Sequence, residues 1–215
     1  MGRSPASPRI SPTHGRLLVF AKAPVPGEVK TRLMPDLNAE ACARLQRRLI
    51  ERTLQTSLKA ALRPIELWCA PDCAHSFFTQ CVAKFNVELR AQQGGDLGMR
   101  MHHALSIALT DANFALIIGC DCPILGSEYL AQASQAMVDG VPVVLGPAED
   151  GGYVLIGARR TARELFEGIE WGTSRVLAQT RVRLQSLKWR WRELKPLWDI
   201  DRPTDLCRLS NNDYA

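Results

Sequence analysis

A chain of 215 residues, 46% hydrophobic and 23% charged, has ordinary globular composition and is long enough to bury one sizeable core. The formal net charge of +5 fits a phosphate-bearing ligand and equally a plain solvated surface, so the charge favours no nucleic-acid partner. No apolar run approaches the roughly 20 residues of a membrane span. Seven scattered cysteines indicate reduced thiols and a cytoplasmic protein, not a disulfide framework.

Residues 1–15 are polar and rich in Pro and Ser, without the apolar segment of a secretory signal. We predict a disordered leader there and a single domain over residues 16–215. The domain alternates strands with helices through its first two-thirds. Strands are predicted at 16–21, 64–70, 87–92, 114–120, 141–146, 153–158 and 188–194. Helices are predicted at about 38–62, 74–85, 97–110, a stretch ending near 139, 161–168 and 173–184, with a short one near the end.

This alternation predicts an α/β protein, a three-layer α/β/α sandwich around a mostly parallel mixed sheet. Ligands of such sheets bind beyond the carboxyl ends of the strands, so the strand-end loops are the places to search for a site. The last strand alternates Trp and Arg, which is compatible with base stacking. The period of two is explained more simply by Trp189 and Trp191 facing inward and by Arg190 and Arg192 facing outward.

The loop after the first strand, residues 21–33, carries Lys22, Lys30 and Arg32 around a turn at Gly27. It matches neither the Walker A pattern nor the dinucleotide fingerprint. Three cations at a strand end nevertheless suit a di- or triphosphate, because Arg binds phosphate oxygens in pairs and Lys acts as a point charge. The alternative is a surface loop with ordinary basic residues.

A second loop, residues 92–101, contains two consecutive glycines and then Gly98 near the start of a helix. Glycines such as Gly95 and Gly98 let the backbone approach a flat ligand or a phosphate closely. Asp96 is expected to cap the helix, and Arg100 in its first turn is within reach of a phosphate.

The segment "FALIIGCDCPIL" ends a buried strand on one carboxylate, Asp121, between Cys120 and Cys122. Carboxylate oxygens suit Mg²⁺ or Mn²⁺, and such sites borrow further ligands from substrate phosphates. A zinc site would need four N or S ligands, and a redox pair would more typically be C-x-x-C. The simplest interpretation of both cysteines is small buried apolar filler.

Two more segments carry carboxylates near predicted strand ends. Asp150, before Gly-Gly, is either part of a simple turn or a metal ligand or general base. Asp199 and Asp201 share one face if their segment is extended. Asp201 is alternatively the cap of a helix that begins at Pro203, with Asp199 pointing into the cleft.

Together these residues resemble a bacterial family of nucleotide-diphospho-sugar transferase-like proteins of the GT-A superfamily, some linked to arsenosugar biosynthesis. The resemblance spans nearly all of residues 16–206. It rests on six motifs in order: AKAPVPGEVKTRL, GDLGMRM, GCDCPIL, GPAEDGGYVLIG, WGT and WDIDRPTDL. The layout is also similar to that of guanylyltransferases for molybdopterin and phospholactate.

By position, the resemblance implies roles for the strand-end residues. The implied phosphate and nucleotide contacts are Lys22, Lys30, Arg32, Gly95 and Gly98. It implies a metal at Asp121 and a second metal carboxylate from Asp199 or Asp201. Many glycosyltransferases of this fold carry Asp-x-Asp at the metal strand, whereas this chain has Cys122 and Pro123 after Asp121. The metal strand is therefore closer to the nucleotidyltransferase pattern.

Three functions remain open. The first is glycosyl transfer from a nucleoside-diphosphate sugar to a small-molecule acceptor, with Mg²⁺ or Mn²⁺ at Asp121 and with Asp150 holding the acceptor hydroxyl. The second is nucleotidyl transfer from a nucleoside triphosphate to a phosphorylated acceptor. The third is a non-catalytic nucleotide-binding protein.

Overall fold

The computed structural model describes residues 14–60 and 62–209, so most of the predicted leader lies outside the described residues. Within these ranges the chain forms a sheet of seven strands. The strands are β1 Gly15–Lys22, β2 Ile65–Ala70, β3 Glu88–Ala91, β4 Phe114–Gly119, β5 Val143–Pro147, β6 Tyr153–Ala158 and β7 Trp191–Glu193. The helices are α1 Ala39–Lys59, α2 Ser76–Phe85, α3 Leu97–Ala108, α4 Ser127–Val138, α5 Val176–Ser186 and α6 Pro203–Leu206. No helix of this part of the chain is long and apolar enough to cross a membrane.

The strand order is β3-β2-β1-β4-β6-β5-β7. The strands β1, β2, β3 and β4 run parallel to one another, and β7 is parallel to β5. The strand β6 is antiparallel to both β4 and β5. The prediction of a mostly parallel mixed sheet is confirmed, and the carboxyl ends of β1, β2, β3 and β4 meet at one edge.

Two cores lie on opposite faces of the sheet because successive strand residues point to opposite sides. In β1, Leu17 and Val19 belong to a cluster with α1, α2 and α4, which includes Ile50. Their neighbour Leu18 belongs to a second cluster with α3 and α5, which includes Leu105. Helices therefore cover both faces, as a three-layer α/β/α sandwich requires.

A third, smaller cluster fastens the C-terminal segment to the rest of the molecule. Ile200, which is fully buried, packs with Leu33 from the first loop and with Leu45 and Leu49 of α1. This packing brings the segment around residue 200 to the same edge of the sheet as the loops after β1 and β4. The residues predicted as a site are thereby gathered at that edge.

Two predicted helices differ from the structure. The helix predicted over 161–168 is only a 3-10 turn at Arg163–Leu165. Leu165, at the end of this turn, and Phe166, directly after it, are buried in the core. Gly168 has a φ of +65°, which a continuing helix does not allow. The helix α1 ends at Lys59 instead of 62, and Leu58 is 38% exposed.

The final strand is shorter than predicted, but the predicted alternation of inward Trp and outward Arg side chains is confirmed. Trp189 and Trp191 pack against the α3 and α5 side of the core, whereas Arg190 and Arg192 are exposed. The two indoles therefore serve the core and not nucleic-acid stacking.

Candidate active site

A cavity of about 670 Å³ opens beyond the carboxyl ends of β1, β2 and β4. That volume lies within the range of ligand pockets in proteins, roughly 300–1,000 Å³. Seven of the residues predicted for the site line this cavity. They are Lys22, Lys30, Arg32, Arg100, Asp121, Asp199 and Asp201.

The loop after β1 owes its shape to two residues with left-handed backbone. Gly27 has a φ of +85°, and Lys30 has a φ of 52°. The left-handed conformation costs a non-glycine residue about 1–2 kcal/mol, so the folded structure must hold Lys30 in place through its contacts. Lys22 helps to close the loop, because its Nζ donates to the carbonyl of Glu28 at 2.7 Å.

Lys30 joins the three segments that form the cavity floor. Its Nζ lies 2.5 Å from Oδ1 of Asp121 and donates to the carbonyl of Ile200 at 2.7 Å. The Lys30 side chain is only 7% exposed, while that of Asp121 is 52% exposed. A nearly buried ammonium thus supplies positive charge beneath a carboxylate that still faces the cavity. The backbone N–H of Ile200 also donates to the carbonyl of Asp121 at 2.8 Å, which fixes the end of β4.

Asp199 is the most perturbed carboxyl group of the site. Its pKa is raised to about 7, first by burial and then by the charges of Asp150 and Asp121, while Lys30 acts in the opposite direction. Three carboxyl groups are therefore close enough to repel one another. This is the electrostatic environment that a bound cation would relieve.

Asp201 faces the cavity but is held by Arg32. The NH1 of Arg32 donates to Oδ2 of Asp201 at 2.6 Å, and its NH2 donates to the carbonyl of Gly172 at 3.3 Å. Asp201 is not the cap of α6. Arg202 occupies the N-cap position, and Asp205 in the first turn accepts with Oδ2 from the backbone N–H groups of Asp201 and Arg202.

The glycine loop after β3 is fixed by its own polar residues. Asp96 caps α3 by accepting from the backbone N–H of Met99 at 2.8 Å, as predicted. Arg100 donates from Nε to the carbonyl of Gly94 at 3.2 Å and lines the cavity. Gly95 has open space around it, but a Cβ at Gly98 would lie 2.6 Å from Cζ2 of Trp171. Gly98 therefore lets an indole lie against the start of α3.

Asp150 lies in the turn between β5 and β6, beside the main cavity. Its Oδ1 accepts from the backbone N–H of Gly152 at 2.8 Å, so the prediction of a turn residue is confirmed. Its carboxylate also lines a second, smaller cavity of about 170 Å³. The predicted role as a general base is compatible with this place and stays a prediction.

Sequence reasoning missed Gln92 and Tyr153, which also line the main cavity. Gln92 follows β3 directly, and its Nε2 donates to the carbonyl of Trp68 at 2.8 Å. The strand-end rule would have identified Gln92, because the residue after a parallel strand faces the cleft. Nothing in the sequence around Tyr153 distinguishes it from an ordinary strand residue.

Cys120 and Cys122, on either side of Asp121, are buried and free. The Cys120 thiol donates to the carbonyl of Phe20 at 3.3 Å, and burial raises its pKa. Burial also raises the pKa of Cys122 to about 12. Both groups stay protonated at neutral pH, so they act as small core residues and not as thiolate ligands.

The donors at this site suit a hard cation that a ligand helps to hold. Among the described residues, no group of three or more His, Cys, Asp and Glu side chains is arranged as a metal centre. Asp121 and Asp199 nevertheless present carboxylate oxygens to one cavity, with further negative charge from Asp150. Mg²⁺ in proteins is commonly held by one or two carboxylates with substrate phosphates and water, and this set fits that pattern.

The chain matches one sequence family and is similar to several solved structures. The model of the family described as "Uncharacterized protein conserved in bacteria (DUF2064)" matches residues 53–173. No curated protein matches the sequence. A Desulfovibrio desulfuricans G20 protein, provisionally described as a nucleotide-diphospho-sugar transferase, is 30% identical with a TM-score of 0.78. The match covers 87% of this chain and 82% of that one.

Two more distant structures share the fold. One is a CMP:2-keto-3-deoxy-manno-octonic acid synthetase in complex with CTP, 10% identical, with a TM-score of 0.59 and 91% and 96% of the two chains covered. The other is Rv0371c from Mycobacterium tuberculosis H37Rv in complex with manganese, 17% identical, with a TM-score of 0.57 and 91% and 96% covered. At these identities the likeness concerns the fold.

Proposed function

The chain belongs to this bacterial family, DUF2064, and on that premise we propose that it is a metal-dependent transferase acting on a nucleotide-activated donor. The proposed reaction is glycosyl transfer from a nucleoside-diphosphate sugar to a small-molecule acceptor. One observation carries the proposal: Asp121 pairs with the nearly buried ammonium of Lys30 and shares a cavity at the strand ends with Asp199.

The donor phosphates lie among the cations of the main cavity. Lys22, Arg32 and Arg100 line it together with Lys30, so four Lys and Arg side chains surround the bound phosphates. A diphosphate placed there gains charge-assisted hydrogen bonds. The nucleoside extends toward the glycine loop, where the open space around Gly95 leaves room for a flat ring.

Asp121 and Asp199 would hold the metal. Mg²⁺ or Mn²⁺, when bound, supplies Lewis acidity that neutralises the diphosphate leaving group. Asp199 is the better second ligand because its carboxyl group is close enough to Asp121 for the charge of Asp121 to raise its pKa, whereas Asp201 pairs with Arg32. A protein of the same fold has been obtained as a manganese complex, which supports this choice of cation.

The acceptor enters from the side of β6, where Asp150 lies. Asp150 orients the acceptor hydroxyl and takes its proton as the oxygen attacks the anomeric carbon of the donor sugar. The bond from that carbon to the diphosphate breaks, and the nucleoside diphosphate leaves with the bonding electrons. The basic side chains around the cavity stabilise the charge that develops on it.

Thermal melting and product assays test the proposal. With Mn²⁺ present, a nucleoside-diphosphate sugar should raise the melting temperature by mass action. Asp121→Asn should abolish this metal-dependent shift and reduce donor turnover by roughly 10²–10³-fold. The exposed Asp139→Asn variant, just after α4, is the matched control and should behave as the wild type. If Asp121→Asn binds metal and turns over donor as well as the wild type, the assignment is wrong.

Nucleotidyl transfer is the second candidate, and a specific feature favours it. Asp121 is followed by Cys122 and Pro123, so the Asp-x-Asp pair of many glycosyltransferases is absent. The CTP complex of a synthetase with this fold also supports a nucleoside triphosphate as ligand. Release of pyrophosphate from a triphosphate, rather than a nucleoside diphosphate from a sugar donor, would identify this reaction. Nucleotide binding without either product would indicate a non-catalytic protein.

A further inference from the structure

A second cavity of about 170 Å³ adjoins the main one and has a different chemical character. Its wall is mainly apolar, with Met101 and Ile117 from the core side and Trp171 and Val176 from the far side. Phe20, Leu97, Gly119, Tyr153 and Val154 line both cavities. Asp150 lies on the wall of the smaller one.

The wall of this apolar pocket is held by close backbone contacts. A Cβ at Gly151 would lie 2.2 Å from the carbonyl oxygen of Ser174, so the turn that carries Asp150 packs directly on the segment after Trp171. The backbone N–H of Leu177 donates to the carbonyl of Gly151 at 2.8 Å. These contacts join the two sides of the pocket through backbone atoms.

Aromatic contacts fix Trp171 as well. Its ring meets Tyr153 edge to face, with centroids 6.3 Å apart, and lies 6.5 Å from the ring of Phe166. The indole also rests against Gly98. The pocket is therefore preformed in the folded chain, as ligand sites usually are.

Size and lining together indicate what this pocket accepts. An engineered cavity of about 150 Å³ lined by Leu, Ile and Phe stays dry and takes up benzene. The present pocket has a similar volume and mainly apolar walls, so it fits one apolar ring or a branched aliphatic group. The polar groups of its lining are few, and they include Asp150, Thr173 and the indole N–H of Trp171, which is buried without a hydrogen-bond partner. A nucleobase carries more polar groups than a single hydroxyl compound, and each one left unpaired costs about 1–3 kcal/mol.

The Lys and Arg side chains of the site line the main cavity and not the apolar pocket. Lys22, Lys30 and Arg100 line the main cavity and not the apolar pocket, whereas Asp150 lines the pocket and not the main cavity. Phosphates thus have partners in one compartment, and an uncharged group has its place in the other. The candidate proton acceptor lies on the pocket side of this division.

We propose that the apolar pocket binds the acceptor, and that the acceptor is a small molecule with an apolar body about the size of one ring and a nucleophilic oxygen directed toward Asp150. The identification of the bound molecule as the acceptor rests on the proposed function. The existence of the binding site itself depends only on the pocket.

Titrations followed by NMR test the proposal on the whole protein. The probes are phenol and cyclohexanol, with glycerol as the polar control of similar size. The reporter is the indole N–H signal of Trp171, assigned by its loss in Trp171→Phe. We expect both ring compounds to shift this signal saturably at millimolar concentration, and glycerol to leave it unchanged. If neither phenol nor cyclohexanol shifts the signal saturably, the proposal is wrong.

Matched variants place the ring compounds in the pocket. Val176→Phe fills it and should weaken phenol binding at least tenfold. Val182→Phe makes the same change at a 57% exposed position of the same helix and should leave binding unchanged. Thr173→Trp, on the exposed rim, blocks the entrance without changing the core and replaces Val176→Phe if that variant does not fold. Equal binding by the blocked and wild-type proteins would contradict the assignment.

A competition experiment separates this proposal from the proposed function. A nucleoside diphosphate with Mn²⁺ should bind at the same time as phenol, because the two ligands occupy different compartments. Displacement of phenol by the nucleotide would overturn the acceptor assignment and give the pocket to the donor. Phenol binding in a protein that binds no nucleotide would leave the pocket in place and contradict the proposed function instead.

Discussion

Asp199 is partly buried beside two other carboxylates, and this environment makes the stability of the protein depend on pH. Its pKa rises from an ordinary value of 3.8 to about 7 in the folded protein. Between these two values the unfolded chain has released the proton while the folded chain keeps it. The free energy of unfolding therefore decreases as the pH rises from about 4 to about 7.

Asp199→Asn should remove this dependence, because the amide does not ionise. We expect the metal-free variant to be more stable than the wild type at pH 8 by about 2 kcal/mol, allowing for the screening of a partly exposed group. The difference should shrink toward zero near pH 4. Urea denaturation in the presence of a chelator measures it across the range. A difference that does not change with pH would contradict the assigned cause.

Single residues were predicted well where the strand-end rule applied to them. Lys22 and Asp121 line the cavity for that reason, whereas Arg100 reaches it from the first turn of α3. The sequence left Asp201 either as a carboxylate facing the cleft or as the cap of α6. Arg202 occupies the N-cap position, and Arg32 from a distant loop pairs with Asp201. A pairing across 169 residues has no signature in the local sequence.

At the scale of the elements, the turn from β5 to β6 depends on Gly151. This residue has a φ of +91°, and its missing side chain lets the turn touch Ser174. Gly140, after α4, has a similar φ of +85° but nothing within 4 Å of its Cβ position. The two glycines share one backbone requirement and differ in packing.

Gly140→Ala should lower the free energy of unfolding by about 1–2 kcal/mol, which is the cost of a left-handed backbone for a residue with a side chain. Gly151→Ala adds a clash with backbone and should lower the free energy of unfolding by at least twice as much. It should also abolish phenol binding in the apolar pocket, whereas Gly140→Ala should not. Chemical denaturation and the same titration check both statements. Equal losses of stability in the two variants would show that the close contact contributes nothing.

Element types were predicted from periodicity, and element ends were not. The apolar spacing of α1 extends to Leu62, but the helix stops at Lys59, and Leu62 is buried outside it. Pro64 disfavours helical backbone at the residue before it, so the chain leaves the helix early to enter β2. The segment at 161–168 has helical composition, yet burial of Phe166 takes precedence.

Over the whole molecule, the fold sorts the seven cysteines by exposure. Five are buried: Cys42, Cys69, Cys81, Cys120 and Cys122. Cys73 is partly exposed and Cys207 is exposed. A thiol reagent at pH 8 should therefore label Cys207 rapidly, Cys73 more slowly and the buried five only after unfolding. Mass spectrometry of labelled peptides measures the order. Fast labelling of Cys122 in the folded protein would contradict its assignment as a core residue.

The fold class was predictable as a whole because each strand and helix carries its own pattern, and connection rules limit the topology. The placement of the C-terminal segment was not. Ile200 is one apolar residue among acidic neighbours, and its burial against Leu45 and Leu49 depends on a surface formed by elements far away in sequence. The two cavities likewise depend on loops from separate parts of the chain.

The contact of Lys30 with Ile200 has a consequence for the order of events during synthesis. The lysine leaves the ribosome 170 residues before the carbonyl that it binds. A nascent chain that has passed Asp121 contains both partners of the Lys30–Asp121 ion pair but lacks Ile200, so the ammonium of Lys30 has only one of its two contacts. The main cavity has all of its lining residues only after the chain has passed Asp201.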